Sequence, residues 1–510
     1  MSRRENFVHE LQSRYTYKND KIIIGKAILD GEIIPEVEIS IALKTLNRHG
    51  LIAGATGTGK TKSLQVIAEQ LSLKGIPTLL MDIKGDLSGI AVPGNIDDNI
   101  TSRHKNLDIK WEPSGYPTEL LSISDEEGIP LRATLLEFGP ILFSKILELN
   151  ETQESIISIV FKYCEDENLP LIDLKDIKKV LQYVTESKEG KEKLNKSYGT
   201  ISSSSLGAIL RKIVALEQQG ANNFFGEPSF DIFDLIKPKN QSGTVNILRL
   251  IDIQGYPNLF STFMLSLLNK IYTQFPEEGD IEKPKLVIFI DEAHLIFKEA
   301  SKSLLSQIET IVKLIRSKGV SIIFVTQVPG DIPDQILGQL GLKIQHALRG
   351  FTAKDRKEIQ KTVENYPITT YYNSAEVITQ LGIGEAFVTV LDEKGIPTPL
   401  AYTHMRSPNS RMDILSQNEI KQIVNSSDLV KKYIEKINKE SAYEILENKI
   451  KAQTLVIETQ NKSKPTTNKS TTREKDWTDN KMVREVGRTA TRKIIDWVMK
   501  ILMNSIKGKK

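Results

Sequence analysis

Residues 54 to 61 read GATGTGKT, a spacing that fits the phosphate-loop pattern G-x-x-x-x-G-K-[ST]. Gly54, Gly57 and Gly59 let the backbone bend so that successive N–H groups converge on phosphate oxygens. Ala55, Thr56 and Thr58 complete the loop, and Lys62 follows on the helix whose positive end faces the same point. Lys60 would neutralise charge on β- and γ-phosphates, and the Thr61 hydroxyl would ligate Mg²⁺. The chemistry these types can do at this spacing is the binding of ATP with Mg²⁺.

Hydrolysis needs acids on a neighbouring strand, and the segment LVIFIDEAHLIF, 286 to 297, supplies two. A run of β-formers delivers Asp291 to the strand's carboxyl end, where it would hold the Mg²⁺ shell, and Glu292 lies just beyond. Glu292 would take a proton from the attacking water, with Lys60 as its catalytic partner on the phosphate. The second carboxylate favours a hydrolase over a nucleotide switch. Asp291-Glu292-Ala293-His294 also spells the motif of the DEAH RNA helicases. No paired-arginine motif follows it, and too little α/β sequence remains for a second RecA-like domain, so the match is one of letters.

The elements that must position these residues follow from apolar runs typical of buried parallel strands: HGLIAG, PTLLMDI, TVNILRLIDI, KLVIFID, VSIIFVTQ and KIQHALRG. Helical segments separate most of them. The expected fold is α/β, a RecA-like P-loop NTPase core with a mainly parallel sheet. Residues 1–45 form a small β-rich N-terminal element, with a hairpin at Asp30-Gly31. Residues 46–115 and 245–405 form the two parts of the ATPase core, and 116–244, rich in helical periodicity, is expected as a helical insertion. Residues 406–460 read as helical, 461–480 as a flexible polar linker, and 481–510 as an amphipathic basic helix.

Composition bounds the rest. The 510 residues are 39% hydrophobic and 26% charged, ordinary for a globular protein, and carry one cysteine, Cys164. That excludes an internal disulfide framework or a multi-cysteine metal cluster, and Cys164 reads as a buried thiol. With no signal-peptide pattern and no run long enough to span a membrane, a cytoplasmic setting is expected. Net charge is +3, but residues 461–510 hold 14 Lys and Arg against 5 Asp and Glu, leaving −6 for the remainder (3 minus 9). The core therefore carries no basic stripe that would mark a nucleic-acid binder.

LNRHGLIAGATGTGKT, the FIDEAH strand and IRSKGVSIIFVTQVPGDIP, in that order, resemble the HerA–FtsK superfamily of ring-forming ATPases. MDIKGDLSGIA, LEQQGANNFFGEPSFDIFDLI, RLIDIQGYP, GIGEAFVTVLDEKGIP and KESAYEIL are similar to the bacterial YjgR-type HerA-like proteins, a group of predicted ATPases, over about residues 20 to 450. The resemblance implies that Gln327 senses the γ-phosphate. It also implies that Arg316 is a finger reaching a neighbouring subunit's ATP, with Arg349 and Arg356 as alternatives. A ring is then the working form, expected to be a homo-hexamer, and duplex DNA translocation or helicase-type processing is its expected task. Lys84 is a candidate for gripping DNA or for a role at the γ-phosphate side with Asp82. Arg48-His49 matches an Arg-His pair of the family, where packing is at least as good a reading as catalysis. The other reading of function is an ATP-gated assembly scaffold that recruits a partner protein, or docks on a membrane surface through residues 481–510, without moving DNA.

Overall fold

The computed structural model describes residues 1–462 apart from Asp280, Ala300, Ser301, Phe351, Asn438 and Lys439. Apart from 461 and 462, the expected linker and the expected basic helix lie outside the described residues. The chain divides into two compact units, Met1–Lys449 and Ile450–Lys510. Among the described residues no helix is long and apolar enough to cross a membrane.

Among the described residues twelve strands form one sheet: β1 Lys21–Leu29, β2 Glu32–Ala42, β3 Gly50–Ala53, β4 Thr78–Asp82, β5 Thr118–Ser122, β6 Ile129–Pro130, β7 Val245–Arg249, β8 Leu286–Ile290, β9 Val320–Thr326, β10 Leu342–Gln345, β11 Glu385–Thr389 and β12 Ala401–Met405. Their spatial order is β2-β1-β12-β11-β10-β3-β9-β8-β4-β7-β5-β6. From β10 to β6 every pairing is parallel, and from β10 back to β2 every pairing is antiparallel. Every residue of β3, β4, β5, β7, β8 and β9 is buried. Such strands have helices on both faces, which is why they read as unbroken apolar runs rather than alternations.

Two boundaries differ from the sequence reading. The stretch 116–244 opens not with helix but with β5 and β6, which extend the sheet beyond β7. A five-residue buried strand such as TELLS carries no period that separates it from a buried helical turn. The helices proper run from Leu135–Ile146 to Ala221–Phe224, and Phe224 packs edge-on against Phe263 of the helix Pro257–Gln274, ring centroids 6.0 Å apart. The N-terminal element likewise begins with a helix, Arg3–Tyr15, and its strand β1 pairs with β12, so it is the margin of the main sheet. Its turn is as expected: Asp30 and Gly31 both sit at positive φ, 51° and 84°, the geometry a two-residue hairpin needs. Cys164 is buried, and burial pushes its thiol up to about 12.

Candidate active site

The loop after β3 lies at the sheet's carboxyl edge, between β9 and β10. Gly54, Gly57 and Gly59 have φ of 152°, 78° and 114°, a region that L side chains rarely adopt. A Cβ on Gly54 would stand 2.5 Å from Cβ of His346. Neighbouring strands hold the loop open. Gly54 N–H donates to the carbonyls of Thr326 (3.3 Å) and Gln327 (3.2 Å), Ala55 N–H to Ala347 O (2.8 Å), and Gly384 N–H to Thr58 O (3.1 Å). Thr58 Oγ1 closes the turn on Ala55 O at 2.7 Å.

Lys60 opens the helix Lys60–Leu73 and is buried. Its ammonium donates to Ala55 O at 3.1 Å. Burial and the charge of Lys84 lower its pKa, while Glu292 and Asp291 oppose them. A buried cation resting, among the described residues, only on a neutral carbonyl, at the N-terminus of a helix, is a cradle for an anion. Thr61 lies beside it, and Lys62 turns away to donate to Met412 O at 2.5 Å.

Two strands from β3, β8 is followed directly by Asp291 and Glu292, 3% and 6% exposed. Burial pushes Asp291 up to about 7, with Lys84 opposing and Glu292 and Asp86 adding to the rise. Its Oδ2 is buried with no hydrogen-bond partner among the described residues. A buried carboxyl held near neutrality with an open oxygen is a site short of a cation. Asp291 therefore fits the Mg²⁺ that the phosphate loop implies. Glu292 sits at φ 47°, a conformation that costs a non-glycine residue about 1–2 kcal/mol and that functional sites retain. Lys84 ion-pairs with Glu292 Oε1. Glu292 Oε2 lies 3.2 Å from His294 Nδ1, yet neither atom has a partner in hydrogen-bond geometry among the described residues.

Gln327 is exposed one residue beyond β9 and lines a cleft of about 770 Å³ with Ala55, Thr56, Asp331, Arg349 and Lys354. The loop residues 54–61, Asp291, Glu292 and Gln327 thus converge on one edge. Arg316 does not. It precedes β9, beside the buried His49 whose protonation its charge opposes, and β9 separates it from Gln327 by roughly 20 Å at the usual rise per residue. His49 is structural: its ring bridges Val312 O (2.9 Å) and Ile322 N–H (3.0 Å). Arg349 donates to Thr379 O at 2.7 Å and lies in the cleft itself.

Two features escaped the sequence reading. His346, after β10, is 0% exposed and buttresses the loop, with Nε2 2.9 Å from Ser63 Oγ and Nδ1 2.9 Å from Glu385 O. A second cleft, of about 310 Å³, opens on the other side of the loop beside Lys62 and Ser63, lined by Arg103, Ile383, Met405 and Met412 among others. One wall is supplied by YTHMRSPNSRM, a segment that from its sequence could close over the base of a nucleotide although nothing in its pattern compels that.

A mainly parallel RecA-like sheet with this loop and these two acids at its carboxyl edge defines a P-loop ATPase. The family model described as "Helicase HerA-like C-terminal" matches residues 29–509, and the chain belongs to that HerA-like helicase family, whose members are enzymes of the ATPase/helicase type. It is 26% identical over 379 residues to the DNA double-strand break repair helicase HerA of Sulfurisphaera tokodaii, covering 73% of this chain and 67% of that one. With the HerA of Sulfolobus acidocaldarius it shares 22% over 374 residues, 69% of this chain and 64% of the relative. Among solved structures, the unbound form of the bacterial conjugative coupling protein TrwB covers 80% of this chain at 14% identity and TM-score 0.51. TrwB with a non-hydrolysable ATP analogue covers 79% at 13% and 0.50. These last two are likenesses of fold.

Proposed function

We propose that the chain hydrolyses ATP with Mg²⁺ and couples the reaction to movement along duplex DNA, working as a homo-hexameric ring. One observation carries the hydrolytic reading: two buried carboxylate oxygens, Asp291 Oδ2 and Glu292 Oε2, lack hydrogen-bond partners among the described residues, two strands from a phosphate loop. Lys60 would exchange Ala55 O for the β- and γ-phosphates. Thr61 and Asp291 would hold the Mg²⁺, which screens phosphate charge. Gln327 would orient the water. Water oxygen bonds to the γ-phosphorus, the bond from that phosphorus to the bridging oxygen breaks with its electron pair leaving on ADP, and the water's proton passes to Glu292 Oε2.

The base would lie in the smaller cleft. The catalytic acids and Gln327 mark the γ-phosphate end, so the nucleoside must leave on the Lys62–Ser63 side, where Ile383 (73% exposed) and Met412 (36%) offer an apolar slot. Arg316, at the opposite end of β9, would serve a neighbouring subunit's ATP, and the ring follows from that. The DNA substrate is supported by the names of the HerA relatives.

The test is steady-state ATP hydrolysis at several protein concentrations, with and without linear duplex DNA, against Glu292→Gln. Specific activity that rises with protein concentration and with DNA is expected. Hydrolysis indifferent to DNA, yet abolished by Glu292→Gln, would favour the assembly scaffold. That reading rests on the net +9 of residues 461–510 against −6 elsewhere, from a total of +3, and predicts that deleting 481–510 abolishes partner or membrane binding.

A further inference from the structure

Lys84 belongs to a loop built with unusual care. Asp82, which ends β4, is 1% exposed. Its Oδ1 accepts from Gly85 N–H (2.7 Å) and Asp86 N–H (3.2 Å), and its Oδ2 from Leu87 N–H (3.1 Å). Three N–H groups satisfied by one carboxylate hold the turn, and Leu250 N–H, just past β7, donates to Asp82 O at 2.9 Å. β4 and β8 are parallel neighbours with Met81 opposite Ile290, so the turn comes off the sheet beside the strand end that carries Asp291 and Glu292. Lys84 reaches across and pairs with Glu292 Oε1, leaving Oε2 buried and without a hydrogen-bond partner among the described residues.

We propose that Lys84 is a positioning residue for the reaction proposed above: it holds Glu292 by one oxygen so that the other faces the attacking water. The inference rests on Glu292 as the proton acceptor. A carboxylate on a flexible side chain can turn either oxygen, or neither, toward a water. Tying Oε1 to a fixed loop removes that freedom, and the left-handed backbone of Glu292 sets where the tether begins. Lys84 also lies near enough to Lys60 for each charge to be felt by the other. The cation that tethers the base therefore stands next to the cation meant for the phosphate, yet its own bond is to the base. Gripping DNA, the use its position in the sequence suggests, would require it to leave Glu292.

The test measures kcat and KM for ATP, and equilibrium affinity for a non-hydrolysable ATP analogue, in wild type, Lys84→Met, Lys84→Gln, Lys84→Arg, Glu292→Gln and Glu292→Gln with Lys84→Met. The expected result is a kcat lower by about ten- to a hundredfold in Lys84→Met and Lys84→Gln, the size of effect that misplacing a reacting group produces. Analogue affinity should stay within about threefold, Lys84→Arg should recover most of the rate, and Lys84→Met should add nothing in the Glu292→Gln background, because Lys84 acts through Glu292. Thermal unfolding of each variant separates lost rate from lost fold, and Lys84→Gln carries the test if Lys84→Met does not fold. An unchanged or raised kcat would overturn the proposal, the raised rate marking Lys84 as a brake. So would lost affinity with kcat intact, which would make Lys84 a phosphate ligand. If Glu292→Gln hydrolyses ATP as fast as wild type, the proton-acceptor reading itself falls, and the Lys84 proposal falls with it. Slowing by Lys84→Met alone leaves that reading standing.

Discussion

The phosphate loop has two flanks, both buried and both polar, and they differ in one respect. On the β10–β11 side His346 has every polar atom satisfied. Nδ1 faces a carbonyl oxygen, so it carries the proton, and Nε2 accepts from the Ser63 hydroxyl. On the β8 side Asp291 Oδ2, Glu292 Oε2 and His294 Nδ1 have no hydrogen-bond partners among the described residues, although the last two lie 3.2 Å apart. Asp82 sharpens the contrast, because it ends the strand beside Asp291, is as buried, and accepts three N–H bonds. Burial of a polar group is common and usually structural. Burial without partners is the exception; it recurs elsewhere among the described residues, as at Ser144 Oγ and Tyr183 Oη, but on this flank three such atoms lie together where the substrate's charge would be handled.

The largest test of that contrast is on the unsatisfied side. Glu292→Gln should lower kcat by about 10²–10⁴, the usual worth of a general base, with the fold and nucleotide affinity kept; steady-state hydrolysis and analogue binding check it. On the satisfied side, His346→Ala should act on stability first. It empties a packed site and strands the Ser63 hydroxyl and the Glu385 carbonyl, together about 3 kcal/mol, read as a lowered urea midpoint. A variant that is dead but as stable as wild type would break the division between the flanks. Smaller still is the apolar slot. Ile383→Asp should raise KM for ATP by about tenfold, the worth of about 1.4 kcal/mol of binding, and leave kcat within about twofold.

How far this was legible before the structure depends on how local each feature is. The loop and the two acids are contiguous motifs, and β3, β4, β7, β8, β9 and β10 are single apolar runs, so both could be read directly. His346 could not. It reaches Ser63 across 283 residues, and nothing in KIQHALRG distinguishes a buttress from any other histidine. The pairing of Lys84 with Glu292 depends on the parallel register of β4 and β8, which no local pattern states. The antiparallel strands β11 and β12 were not legible: EAFVT holds three apolar residues in a row with no period of two, and only AYTHM alternates in burial. Gln327 and Arg316 owe their assignments to family resemblance alone. Here the sheet separates them, one at each end of β9, which a string of letters cannot express.

The two flanks should also titrate in opposite directions, and that is the finest test of the comparison. Burial pulls His346 from its ordinary 6.5 down to about 4, while a hydrogen bond to Glu385 O opposes it and the Lys60 charge adds to it. Between those values the unfolded chain holds a proton that the folded protein refuses, so His346 makes stability fall as pH falls, by up to about 1.4 kcal/mol per pH unit. Asp291 is raised from 3.8 to about 7. Between those values the folded protein holds the extra proton, so Asp291 makes stability rise as pH falls. In wild type the two slopes offset where the windows overlap, from about 6.5 to 4, and only single variants separate them. Asp291→Asn should be more stable than wild type at pH 8, where it removes a buried charge, with the advantage shrinking toward pH 4.5. His346→Ala should be least stable relative to wild type at pH 8, with the deficit shrinking as the pH approaches 4. Urea midpoints at pH 8, 6 and 4.5 measure both. Parallel slopes in the two variants would mean that the acid flank is paired in solution and that its open oxygens are not a reserve for substrate.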